Sequence, residues 1–525
     1  MVEVKLSNKN NNLENITVLE KQNYIPLYDT LYDNCTLNTK IFHNKNIQKF
    51  IEKKSYSDYV VQLKNNAVVD CFIKLSPLIE PLKYSIGKYK NINIKTLPKP
   101  CIKSELHEMD DFNNLAYIDS FFYYLTSILL NKYNFVHGID FYDTFLGISD
   151  KFKYNISEDI DTLISNSYFK EHHNKLFNID NSDLFKEKQK LNIEDTISLE
   201  DFVELENKEN NENVLHDIEI LYDNENIIKD INDDDTSSEY SDSDEDSNSE
   251  YSVSSDESDY DSENDSEYSD IDEDEIFLTI NNFPCQYICL EKLSDTLDSL
   301  IVDNDISNAE WKSALFQIIM ILITYQKVYD LTHNDLHSNN VMWIETNEKF
   351  LYYKYNDNYY KIPTYNKIYK IIDFGRSIYK FKNNTYFSNS FSKEGDAASQ
   401  YNCEPYYNDK KPIVYPNKSF DISRLACSLF DYFYDDINDT KNKCDVAKTI
   451  SNWCLDDNNK NILYKKNNTE RYPDFKLYKM ISRTVHHLEP HTLLKEPIFK
   501  KFNVFEKQIK KAKLMNIDEM PKLYN

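Results

Sequence analysis

The sequence predicts an α+β protein, and three patterns carry that reading. Alternating β-branched and aromatic residues fill "YVVQLKNNAVVDCFIKL", residues 59–75. Such alternation gives a strand one buried and one open face. Apolar residues recur at helical spacing in "NNLAYIDSFFYYLTSILLNKY", residues 113–133, and in "WKSALFQIIMILITYQKVYD", residues 311–330. From Phe420 onward the chain reads as mainly helical, most clearly in "SFDISRLACSLFDYFYDDI".

Taken in order, residues 1–50 are polar and Asn-rich, and they predict a poorly ordered or peripheral extension. The "NN" at 65–66 is a turn signal, so residues 56–75 predict a hairpin with Lys74 near the end of its second strand. A helix of about five turns follows, and "FVHGIDFYDTFLGI" then reads as a further strand. Residues 150–229 mix short amphipathic and polar stretches and match no template. "FPCQYICLEKL" predicts a strand, and the apolar helix 311–330 comes next. In "YYKYNDNYYKIPTYNKIYKIIDFG" an "NDN" turn separates alternating strands.

Of the formal charge of −29, 22 negative charges fall between Asp230 and Glu275, which hold no Lys or Arg. Like charges repel, and so little apolar surface cannot offset the entropy of ordering, so 230–275 predicts a disordered, solvated loop. Its many serines followed by acidic residues suit phosphorylation or the binding of basic partners. The rest of the chain is mildly acidic, with no basic stripe pointing to nucleic acid. Nine scattered cysteines form no C-x-x-C pair, which fits reduced thiols. The start, "MVEVKLSNKNNNLENITV", has no signal-peptide core, and the longest apolar run, "ALFQIIMILITY", is too short for a bilayer. A soluble, intracellular protein without a membrane partner is expected.

The chemistry gathers in two places. Phosphoryl transfer needs a carboxylate near the acceptor hydroxyl, oxygen ligands for a metal, and a cation on the phosphates. In "HNDLHSNN", Asp335 and Asn340 lie five apart on a loop that follows a buried helix. In "IIDFG", Asp373 ends an apolar strand, where its hard oxygens suit Mg²⁺. Asp and Asn also favour caps and turns, which is the plainer alternative.

H-x-D-L-x-x-x-N followed by D-F-G resembles the catalytic and metal loops of protein kinases. The resemblance runs from about Tyr56 to Phe502, and its flavour is that of the divergent serine/threonine kinase-like proteins of giant DNA viruses. It implies a bilobal fold: a small β-rich N-lobe (51–149) split by a long insertion (150–276), then the end of that lobe, the hinge and a larger, mainly helical C-lobe (277–525). It further implies ATP and Mg²⁺ as cofactors, with Asp335 orienting the acceptor hydroxyl, Asp373 and Asn340 on the metal, and Lys74 on the α/β-phosphates. Glu291 to Leu293 would offer backbone groups to adenine. Asp119 is the candidate to pair Lys74, its short side chain requiring a close approach of helix and strand. Asp421 would brace the catalytic loop, and His333 would pack beneath it.

The departures are as informative. No G-x-G-x-x-G exists, and "KKSYSDYVV" stands in its place. Asn334 replaces the family's arginine, which predicts no arginine beside the catalytic Asp for a phosphorylated segment to engage. His337 replaces the loop lysine and could contact phosphate. "CEP", Cys403 to Pro405, is a weak match to A-P-E. "ERYPDFKLYKMI", residues 470–481, reads as a packing helix. The implied activity is transfer of phosphate to protein Ser/Thr hydroxyls. Two alternatives stay open: a catalytically impaired pseudokinase acting as a binding or scaffold module, and a small-molecule kinase of the aminoglycoside or choline type.

Overall fold

The computed structural model describes residues 4–8, 18–157, 159–180, 276–303, 306–439 and 443–524. The acidic stretch 230–275 and its expected disorder therefore lie outside the described residues. The chain divides into two compact units, one formed by Met1–Tyr154, Asn166–Asn178 and Leu278–Asn525, the other by Asn155–Ser165 and Ile179–Phe277. In the second unit, the helix Ile160–Ser165 buries Ile160 and Leu163, and the Ile156 N–H bonds to the Ile276 carbonyl. The remainder concerns the first.

Its elements make a mixed α+β protein. They begin with β1 (Leu19–Gln22), β2 (Ile47–Lys53), β3 (Asp58–Leu63), β4 (Val68–Pro77), α1 (Leu115–Tyr133), β5 (Phe141–Asn155), β6 (Phe177–Ile179) and β7 (Phe277–Glu291). These strands form one sheet in the order β1-β5-β7-β4-β3-β2, with β6 beside β7. The β2–β3, β3–β4 and β4–β7 pairs are antiparallel. Between β3 and β4, Asn66 takes a left-handed φ of 67° at the turn the "NN" foretold. With five glycines in the chain, left-handed positions fall to Asn and Asp, the side chains that tolerate them best. Asn134 ends α1 in this way, and Asn356 with Asp357 turns a later hairpin.

Then come α2 (Asn308–Tyr329), β8 (Val341–Glu345), β9 (Phe350–Tyr355), β10 (Asn358–Pro363), β11 (Lys367–Ile371), α3 (Phe420–Phe433), α4 (Asp445–Trp453), α5 (Phe475–Thr484), β12 (Asn503–Val504) and β13 (Leu514–Asn516). Helix α2 opens on Ser307, whose hydroxyl accepts the Glu310 N–H and so satisfies an orphan donor of the first turn. It is apolar nearly all round and almost wholly buried, as such a helix must be. Among the described residues no helix is long and apolar enough to cross a membrane.

One expectation needs correction. Residues 18–50 are no loose extension: Tyr24, Ile25, Leu27, Tyr28 and Ile41 are buried, and Lys40 is sealed against Asp143. The apolar residues there are not periodic because Tyr24 to Tyr28 are buried in a row at the short 3-10 turn Pro26–Thr30 rather than along one face. From Phe420 the chain is mainly helical as expected, with two short strands added. Strands β12 and β13 flank the β9–β10 hairpin in a sheet of order β12-β10-β9-β13.

Candidate active site

Strand β4 aims its residues by alternation. Cys71 and Ile73 enter a core cluster with Val61, Phe145 and Cys289, so Lys74 must leave by the opposite face. There its Nζ lies 2.8 Å from Asp119 Oδ2 on α1 and 3.0 Å from Asp373 Oδ1. Helix and strand do approach closely enough for an aspartate to serve. Asp119 also accepts the Phe374 N–H at 2.7 Å, and the Asp373 N–H donates to the Tyr123 hydroxyl at 2.9 Å. Helix α1 thus fixes the first two residues of the "DFG" turn, while buried Phe374 packs 4.5 Å from Phe122, centre to centre.

The charges follow from this packing. Burial pushes the Asp119 carboxyl up to about 6, against the pull of Lys74. Asp373 is only partly desolvated, and Lys74 beside it draws its carboxyl down to about 2. Lys74 loses hydration yet is held well above its ordinary range by the two carboxylates. One cation therefore sits between an anion fixed at neutral pH and one that titrates near 6.

The loop 333–340 is held from below. Asp421, buried at the start of α3, accepts the backbone N–H groups of His333 at 3.0 Å and Asn334 at 2.9 Å. His333 Nε2 bonds the Ile372 carbonyl, while Nδ1 accepts the Asp335 N–H. That assigns a neutral ring packed under the loop. Asn334, left-handed at φ 67°, donates through its amide to the Thr332 and Arg376 carbonyls and accepts from the Tyr401 hydroxyl. Asn340 donates to the Asp335 carbonyl, and its own carbonyl accepts the Ile372 N–H. Asn340 and Asp373 are thereby neighbours, and their side-chain oxygens are the hard donors that Mg²⁺ prefers.

Several details depart from expectation. Burial first of all lowers the His337 pKa, and its Nε2 faces the Asn340 amide at 3.0 Å. It is a neutral acceptor that orients Asn340, not a cation for phosphate. An arginine does stand beside Asp335: Arg376 Nη1 is 3.5 Å from Asp335 Oδ1, and Arg376 also binds Asp396. Sequence reading looked for it before the Asp, whereas it follows "DFG". Glu291 commits its N–H to the Asp140 carbonyl, and its carboxylate to the Asp140 N–H and buried Lys370. Of the two adenine candidates, Leu293, half-buried just beyond β7, is left without such commitments. Glu404 of "CEP" is exposed and, among the described residues, forms no ion pair; it lines a cavity of 580 Å³ with Cys403, Asp330, Lys380 and Lys418.

The turn 54–57 between β2 and β3 occupies the place of the missing glycines. Its amides are spent locally: those of Lys54 and Ser55 on the Asp58 carbonyl, that of Ser57 on the Ser55 hydroxyl. It makes no nest of free N–H groups for phosphate.

The residue that sequence reading missed is Tyr478. Helix α5 was taken as packing, yet the Tyr478 hydroxyl donates to Asp335 Oδ1 at 2.8 Å. Burial, then Asp335, raises its pKa, so the phenol stays protonated. A signal was present, since an apolar helical stripe has no need of a tyrosine flanked by Lys479 and Arg483. No family model matches the chain, and no curated protein sequence matches it.

Proposed function

We propose that the chain is an ATP- and Mg²⁺-dependent protein kinase acting on serine or threonine hydroxyls. The observation that carries this is Lys74 within 3.0 Å of both Asp119 and Asp373, three residues brought together from three distant segments. The sheet order β2-β3-β4-β7-β5, with α1 between β4 and β5, supports reading this sheet as the small lobe of a bilobal kinase fold.

In this mechanism Asp335 takes the proton of the acceptor hydroxyl, whose oxygen bonds to the γ-phosphorus of ATP as the bridge to the β-phosphate breaks and ADP leaves. Bound Mg²⁺, held by Asp373 and Asn340, would neutralise phosphate charge. Lys74 grips the α/β-phosphates, and Asp119 holds Lys74 in place. Without a glycine cradle, positioning falls on Lys74 and the metal ligands.

A second reading, the pseudokinase, is favoured by the engaged amides at 54–57 and by Tyr478 on the presumptive base. Radiolabelled γ-phosphate transfer to generic proteins and small alcohols separates the readings. Transfer to protein that Asp335→Ala and Asp373→Ala both abolish supports the kinase. Nucleotide binding by thermal shift with no transfer supports the pseudokinase, and transfer to alcohols alone supports the small-molecule enzyme.

A further inference from the structure

The chain contains four arginines among its 60 basic residues, at 376, 424, 471 and 483. Three of them converge on helix α5. Phe475 and Tyr478 stack with ring centres 5.2 Å apart. The Arg376 guanidinium lies 6.0 and 5.7 Å from those centres, Arg424 lies 4.9 Å from Tyr478, and the Lys479 ammonium lies 5.4 Å from Phe475. Arg483, one turn along, donates to the Ser399 and Lys479 carbonyls. Burial, then Arg483 and Lys411, lowers the Lys479 pKa.

Arg376 answers to Asp335 and Asp396. Lys411, Arg424, Lys479 and Arg483 form no ion pair with a carboxylate among the described residues, and the Arg424 Nε is buried with no hydrogen-bond partner. Arg424, Lys479 and Arg483 are held by ring faces and backbone carbonyls, and among the described residues no carboxylate answers their charge. Arg424 and Lys479 reach the Asp335 carboxylate through one residue: Tyr478, whose ring lies under the Arg424 guanidinium and stacks on the Phe475 ring beneath Lys479, holds the place of an acceptor hydroxyl at Asp335, within the reach a general base needs.

We infer that this cluster selects the acceptor: the chain phosphorylates hydroxyls flanked by carboxylates, with Arg424, Lys479 and Arg483 receiving the flanking acids. The inference rests on the kinase reading and adds the substrate class to it. Guanidinium groups suit the task because they pair carboxylates in a fixed fork.

The test uses the full chain with Mg-ATP and two synthetic peptides. One is "SSEYSDSDEDSNSEYSVSSDESDYD", the sequence of residues 237–261; the other replaces every Asp and Glu by Asn and Gln, leaving the hydroxyls unchanged. Labelled versions of both are titrated onto the chain at low and high salt. The acidic peptide should be preferred about tenfold in kcat/KM. Lys479→Gln and Arg424→Gln should each lower that ratio and weaken acidic-peptide binding. Equal transfer to both peptides, or a ratio the variants leave alone, overturns the inference and spares the kinase reading. Acidic-peptide binding that the variants weaken, with no transfer to any acceptor, overturns the kinase reading and leaves the anion-directed surface standing. Equal binding of the two peptides overturns the inference whatever the transfer result.

Discussion

Lys40 and Lys74 each bring an ammonium within 2.8 Å of a buried carboxylate, yet the two sites are built for different ends. Lys40 meets both oxygens of Asp143, and their side chains are 2% and 3% exposed. Lys74 is 25% exposed, and while Asp119 beneath it is 1% exposed, Asp373 beside it is 47% exposed. The sealed pair has every charge answered. The open one shares a single cation between two anions and leaves carboxylate oxygen facing solvent. A buried lysine with one matched partner is architecture; a half-open lysine with two is poised to receive a further anion.

Substitutions should split along that line. The largest effect is expected at Asp335, where Asp335→Asn should lower phosphate transfer by about a thousandfold at nearly unchanged thermal midpoint, since it removes the base and keeps the shape. Lys74→Met should lower transfer by about a hundredfold or more, with a smaller loss of stability than at Lys40, because Asp119, already pushed up to about 6, takes up a proton once its cation is gone. Lys40→Ala should do the reverse: stranding Asp143 without its counter-ion should cost about 3 kcal/mol or more in denaturant melts. Loss of stability at Lys74→Met, with none at Lys40→Ala, would erase the distinction.

The comparison sharpens with pH. Asp119 sits near 6, so its negative charge is present above that pH and is lost as pH falls through it. Lys74 then keeps Asp373 alone, and a pH–rate profile should fall on the acid side near 6. Asp119→Asn should remove that limb along with much of the rate. The smallest effect is expected at Tyr478: removing one phenolic hydrogen bond, about 1 kcal/mol net, should raise kcat/KM for added acceptor by about fivefold in Tyr478→Phe. No rise would mean that the phenol does not compete with the acceptor.

Much of this was legible in the chain, and the division has a physical basis. Local signals held: the "NN" turn, the helical stripe of α1, and the "NDN" hairpin each depend on residues a few positions apart. The loops bearing Asp335, Asn340 and Asp373 stood out by spacing alone, and the structure brings Lys74 and Asp119 to Asp373 as the resemblance implied. What stayed hidden is long-range. Tyr478 and Asp335 lie 143 residues apart, and Lys40 and Asp143 lie 103 apart. No periodicity in either partner's own segment announces such a meeting. The position of Arg376 misled for a related reason: a guanidinium on a long stem can serve a carboxylate from either side of the loop, so the site keeps its cation while its sequence slot moves.

The hairpin between Asp335 and Asp373 has both rims closed by residues that come much later, β12 against Tyr359 and Tyr360, and β13 against Tyr352 to Lys354. During synthesis the hairpin leaves the ribosome long before those strands exist. Until they arrive, two open backbone edges invite pairing with another nascent chain. Residues 503–516 therefore act as a late seal: the segment joining the loop of Asp335 to that of Asp373 becomes safe from its neighbours only when translation has passed them.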